Sequence, residues 1–203
     1  MNKLHVIYVA GLGDNRSYGQ AIAIKLWRVF GVHGHYHAIG WSEGDFTPKL
    51  EKLLVEIDDY VARGHQVALL GFSAGASAVL NAFSARKDTI AAVVCISGFI
   101  QENRMTDTSQ WRHRTFAESV ALLHANLKTF TIQDKRHILT VYPAQDKRVS
   151  HTDATVSGVN EIRTPAKGHV QSIAYALTIG AFSISKYMKK QARLSATMTP
   201  GSK

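Results

Sequence analysis

The chain has 203 residues, 24 Lys and Arg against 15 Asp and Glu, 45% hydrophobic residues and a formal net charge of +9. A chain of this length builds one core and buries about 70% of the surface its unfolded form exposes, and with 19% charged residues it is not a disordered polymer. A single cysteine, Cys95, excludes an internal disulfide framework and a cysteine-rich zinc site, while the positive charge raises nucleic acid and anionic lipid as partners to be weighed.

The apolar run Val6–Ala10 follows His5 and is too short for a secretory leader; it reads as a buried strand spanning residues 4–10, and a cytoplasmic location is expected. Residues 18–30 predict the first helix. A strand at 36–39 follows, then a helix at 48–63 that opens on Thr47-Pro48, a capping residue before proline at the first helical position. Leu50, Leu53, Leu54, Ile57 and Val61 recur there at spacings of three and four. Further strands are predicted at 66–70, 90–96, 137–142 and 159–163, and further helices at 74–86, 116–127 and 168–190. Strands rich in Val, Ile and Tyr alternate with helices, which implies right-handed crossovers. The fold class is therefore α/β, a three-layer α/β/α sandwich around a six-stranded, mainly parallel sheet with residues 36–39 at an edge. Residues 1–190 read as one domain, the polar stretch 101–115 as a minimal flap loop, and 191–203 as a flexible tail. No run of about 18 apolar residues could span a membrane.

The strand at 66–70 runs into Gly71-Phe72-Ser73-Ala74-Gly75 and then into a helix. G-x-S-x-G between strand and helix is the pattern of a nucleophile elbow, where a sharp turn lifts the serine above the sheet edge and any flanking Cβ would collide with neighbours. A nucleophilic serine needs a base, and the base a group to orient it. Asp146 follows the strand at 137–142, and His169 follows the strand at 159–163, just before the last helix. Ser73, Asp146 and His169 thus fall on three loops at one edge of the sheet, in the order serine, acid, histidine. His151 and Asp153 are weaker alternatives, and Asp134 precedes its strand and falls at the wrong end.

The intermediate of acyl transfer needs donors for its oxyanion. The backbone N–H of Ala74 is one, and Leu12 in the glycine-flanked turn Gly11-Leu12-Gly13 is the other. That turn lacks the third glycine of a dinucleotide fingerprint, since Arg16 stands there, so no cofactor is expected. His33, His35 and His37 alternate along one strand face, too spread to converge on a metal ion, and read as a solvated edge that discourages strand pairing.

On Gly71-Phe72-Ser73-Ala74-Gly75, Asp146 and Gly168-His169 the chain resembles the α/β-hydrolase superfamily over nearly its whole length, most of all small serine hydrolases without a separate cap domain. It departs in having Ala10-Gly11 where many relatives have His-Gly, and in starting at the first parallel strand. The resemblance implies a carboxylic-ester or related acyl hydrolase, with Asn15, Arg16, Trp41, Phe72, Phe99, Ile100 and Tyr142 shaping an open pocket for a small-molecule acyl substrate. An acyltransferase or thioesterase on the same triad remains open, as does a non-catalytic binding protein. A monomer or weak homodimer that binds no nucleic acid is expected.

Overall fold

The structure is a computed structural model and describes residues 2–16, 18–100 and 112–198. Its elements in chain order are β1 (Leu4–Val9), α1 (Tyr18–Leu26), β2 (His33–His37), α2 (Thr47–Ala62), β3 (Gln66–Phe72), α3 (Ala74–Ala85), β4 (Ile90–Ile96), α4 (Arg114–Leu127), α5 (Ile132–Arg136), β5 (Ile138–Gln145), α6 (His151–Ala154), β6 (Asn160–Lys167), α7 (His169–Leu177) and α8 (Ala181–Met198). The six strands form one sheet in the order β2-β1-β3-β4-β5-β6, every neighbouring pair parallel.

Alternation along each strand divides the core in two. Val6 and Tyr8 of β1, Ala68 and Leu70 of β3 and Val94 of β4 pack with Ile24, Trp27, Ile173, Leu177, Ile184 and Met188, so α1, α7 and α8 cover this face. Ile7, Val9, Leu69, Val93 and Cys95 point the other way, against Leu53 and Ile57 of α2, Val79 and Phe83 of α3 and Val120 of α4. The Cys95 thiol is wholly buried in that second core, which pushes its pKa far up and leaves it inert.

The architecture agrees with the sequence reading, and four local expectations are corrected. First, the predicted helix at 168–190 is two helices, α7 and α8, broken at Gly180. That N–H donates to Tyr175 O at 2.8 Å, and a Cβ there would come within 3.1 Å of the Tyr175 ring. Second, α8 runs through Met198, so most of the expected tail is helical and residues 199–203 lie outside the described residues. Third, α4 begins at Arg114; residues 101–111 of the expected flap also lie outside the described residues. Fourth, the edge strand is His33–His37, three residues earlier than predicted, because Gly34 admits α1: a Cβ there would sit 2.0 Å from Ile24 O.

That shift changes the histidine row as well. Its side chains face α2 rather than open solvent. His37 Nδ1 lies 2.6 Å from Glu56 Oε2, and His35 Nε2 lies 2.9 Å from Nδ1 of buried His5. The His5 ring also stacks with His33 and His65 and tilts against Tyr60. Among the described residues no group of three or more His, Cys, Asp or Glu side chains is placed to hold a metal ion. Burial, reinforced by the neighbouring charges of His35, His65, His33 and Lys3, pushes the His5 pKa down to about 4. An unfolded histidine takes its proton near pH 6.5, so between those values the unfolded chain binds more protons and stability falls as pH falls. Chemical denaturation is expected to show a loss of stability between pH 6.5 and 5, above ordinary carboxylate titration, and His5→Leu is expected to make that slope shallower.

Candidate active site

β3 ends at Phe72 and α3 begins at Ala74, which leaves Ser73 alone to turn the chain. Its backbone adopts φ 53°, ψ −118°, a conformation that costs a non-glycine residue about 1–3 kcal/mol and persists only where its surroundings fix it. They do: Ser73 N–H donates to Ile96 O at 3.0 Å, and Ser73 O accepts from Ala76 N at 3.0 Å and Phe99 N at 3.3 Å. The flanking glycines are a steric requirement. A Cβ on Gly71 would meet Gly75 O at 2.5 Å, and one on Gly75 would meet Val9 O at 2.1 Å. Helix α3 therefore starts almost in contact with the end of β1.

His169 opens α7, and Gly168 before it takes φ 124°, a turn that side-chain-bearing residues rarely make. This delivers His169 Nε2 to 2.9 Å from Ser73 Oγ. On its other side, His169 Nδ1 lies 2.8 Å from Asp146 Oδ2. Asp146 sits directly after β5, and its Oδ1 accepts from the N–H groups of Arg148 at 2.8 Å and Val149 at 3.2 Å, which leaves Oδ2 for the imidazole. An ionised carboxylate only accepts, so Nδ1 carries the proton toward Asp146 and Nε2 is free to accept from the Ser73 hydroxyl. The His169 and Asp146 side chains are 7% and 5% exposed, and their interaction is weakly screened by solvent. The Phe72 ring covers the imidazole at 5.0 Å.

The loop after β1 rests on this turn: a Cβ on Gly11 would lie 2.9 Å from Ser73 Cβ and 3.5 Å from Ala74 N. Leu12 follows, half-exposed, and Ala74 N–H belongs to the first turn of α3, where backbone donors have no intrahelical acceptor. The loop is held from behind. Trp41 Nε1 donates to Ala10 O at 3.0 Å, Asp14 Oδ2 accepts from Gly40 N at 2.7 Å, and Tyr36 Oη donates to Asp14 O at 2.5 Å.

These contacts sort the remaining expectations. Trp41 is buried between Phe46 and Phe116 and supports the loop instead of facing open space. Asn15 and Arg16 are exposed on the short turn that ends the loop. Phe99 is half-buried and shares an open cleft of about 350 Å³ with Arg112, His113 and Phe116, while Ile100 is fully buried. Tyr142 belongs elsewhere: it lines a cavity of about 710 Å³ with Asp146, Ser150 and His151, to which neither Ser73 nor His169 contributes. His151 pairs with Glu161 at 3.2 Å, and the Asp153 carboxylate accepts from Ser150 Oγ. Asp134 caps α5 and pairs with Lys87. None of the three enters the Ser73–His169–Asp146 line.

Two groups escaped the sequence reading. Asp14 is buried and ties the loop to the β2–α2 connection, a role no motif marks. Ser172 Oγ donates to His169 O at 2.7 Å and lies 2.6 Å from Ser97 Oγ, whose residue has φ 43°. The pair fixes the backbone under His169 from the end of β4. A serine one turn after a suspected base was the available signal.

Neither a protein-family model nor a curated sequence relative matches the chain. Solved structures do. Est1E from Butyrivibrio proteoclasticus superposes with a TM-score of 0.64 at 15% identity, covering 94% of this chain and 88% of that one. The esterase domain of a Rhodothermus marinus protein gives 0.65 at 13% identity, over 92% and 86%. A structure from work on LipS and LipT, two metagenome-derived lipolytic enzymes, gives 0.67 at 8% identity, over 93% and 94%. At these identities the likeness is one of fold: the chain has the α/β-hydrolase fold. Gly75→Ala drives a methyl group into Val9 O and is expected to lower stability by about 3 kcal/mol or to prevent folding; thermal unfolding followed by circular dichroism checks this.

Proposed function

We propose that this chain is a serine hydrolase that cleaves a carboxylic ester or a related acyl bond. The reading rests on one observation: two hydrogen bonds in line, Ser73 Oγ to His169 Nε2 at 2.9 Å and His169 Nδ1 to Asp146 Oδ2 at 2.8 Å, on a strained elbow. In this mechanism Ser73 Oγ attacks the acyl carbonyl as its proton passes to His169 Nε2. The backbone N–H groups of Leu12 and Ala74 hold the oxyanion, and Asp146 orients the imidazole and stabilises its charged form. Collapse of the tetrahedral intermediate expels the alcohol, which takes the proton from His169. Water, deprotonated by the same nitrogen, then releases the acid and restores Ser73.

The esterase and lipolytic descriptions of the structural neighbours support the same class of substrate. Phe99 and Phe116 line the cleft beside the elbow, and Phe99 N–H is bonded to Ser73 O; this suits a modest apolar acyl or alkyl group. All the steps draw on side chains and backbone of this chain.

A fluorophosphonate probe is expected to label the wild type and to leave Ser73→Ala unlabelled; equal labelling of the two ends the assignment. Hydrolysis of p-nitrophenyl acetate is expected to fall about 10⁶-fold in Ser73→Ala and about 10⁴-fold in Asp146→Asn, the latter through the wrong imidazole tautomer. For a p-nitrophenyl ester of a longer acyl chain, Phe99→Ala is expected to raise KM about tenfold with little change for the acetate, the size of one lost apolar contact surface.

A further inference from the structure

Charge and exposed apolar surface are distributed unevenly between the two helical layers. No Asp or Glu occurs between Asn15 and Ser42 or after Glu161, the two stretches that supply α1, α7 and α8. Much of the chain's excess of positive charge therefore falls on this one layer, where Lys25, Arg28, Lys186, Lys190 and Arg193 are exposed. The same layer presents an apolar stripe. Tyr18, Ile22, Leu26 and Val29 recur every three or four residues along α1 and the turn Trp27–Phe30, and Ile179 and Phe182 stand at the α7–α8 junction; these six are 60–79% exposed. Stripe and junction adjoin, since the Phe30 and Phe182 rings meet at 6.2 Å and Lys189 Nζ donates to Phe30 O at 2.9 Å.

We propose that the α1–α8 face is a docking surface for an anionic lipid membrane. Exposed aliphatic and aromatic side chains framed by Lys and Arg, with no carboxylate to repel headgroups, combine the two attractions that hold a peripheral protein at such an interface. A second copy of the chain fits less well, because a two-fold contact would press this basic face against itself. Nucleic acid would take the charge but has no use for a stripe of Ile, Leu and Val. An apolar groove of about 420 Å³ between α1 and α7, lined by Arg16, Ala23, Val170, Ile173 and Leu177, opens in this layer and starts one residue after His169. Docking would bring that groove to the lipid.

The test is cosedimentation with phosphatidylcholine vesicles made with and without phosphatidylglycerol. The wild type is expected to bind only the anionic vesicles, with affinity falling as salt is raised. Lys186→Gln/Lys190→Gln is expected to weaken binding about 25-fold, from the attraction each basic residue contributes at such a surface. Ile22→Ser/Leu26→Ser, which leaves the charge unchanged, is expected to weaken binding as well, and all four positions are exposed, so folding is preserved. Ser73→Ala is expected to bind like the wild type, which separates docking from catalysis. Equal binding to both vesicles overturns the proposal, as does binding insensitive to these substitutions. A solution dimer that Ile22→Ser/Leu26→Ser dissociates, or duplex DNA binding that the same variant retains in place of vesicle binding, also overturns it.

Discussion

The near-contact between the first turn of α3 and the end of β1 constrains everything around the site. Gly75 lies so close to Val9 O that no side chain fits, and Gly71 so close to Gly75 O that none fits there either. This pins the helix axis against the sheet and makes one residue, Ser73, complete the reversal from strand to helix. The strain at Ser73 is offset by backbone hydrogen bonds to β4 and to the segment after it. A second close approach follows from the first: Gly11 must also lack a side chain, because the loop after β1 passes directly over Ser73. Ser73 and the loop after β1 are thus positioned by backbone excluded volume, the least adjustable of the available forces.

Support for His169 is built differently. His169 has no steric trap; polar contacts hold it from three directions. Asp146 grips Nδ1, Ser73 Oγ meets Nε2, and Ser172 with Ser97 braces the carbonyl behind the ring. Asp146 is in turn held by two backbone N–H groups of its own loop, so its free oxygen points one way. A buried, fully bonded chain of this kind fixes geometry more than it adds stability.

Ser73 and Asp146 were legible in the sequence because each sits immediately after a strand announced by a short Val- and Ile-rich run, and His169 because it follows the weaker run of β6 by a single glycine. Their convergence on one sheet edge then follows from parallel topology. What the sequence hid was mostly long-range. Trp41 reads as a pocket residue until its indole N–H is seen on Ala10 O, thirty-one positions away. Asp14 reads as a loop acid until Gly40 is found bonded to it. The histidine row of β2 has the alternation of a half-exposed edge, yet His5 on β1 packs against His33 and His35, and His65 ahead of β3 stacks on His5 in turn. Helix ends are hidden in the sequence where a glycine contact decides them, as at Gly180, since periodicity continues smoothly through the break.

The division of side chains between the two faces of the sheet has a consequence at a distance. With no Asp or Glu in the stretches that supply α1, α7 and α8, and basic groups exposed on those helices, charge is unequal across the sheet, which gives the molecule an electric dipole with a component normal to it. Near any charged boundary that dipole exerts a torque, effective within a Debye length of about 8 Å in physiological salt. The protein would rotate into a preferred attitude before it touched anything.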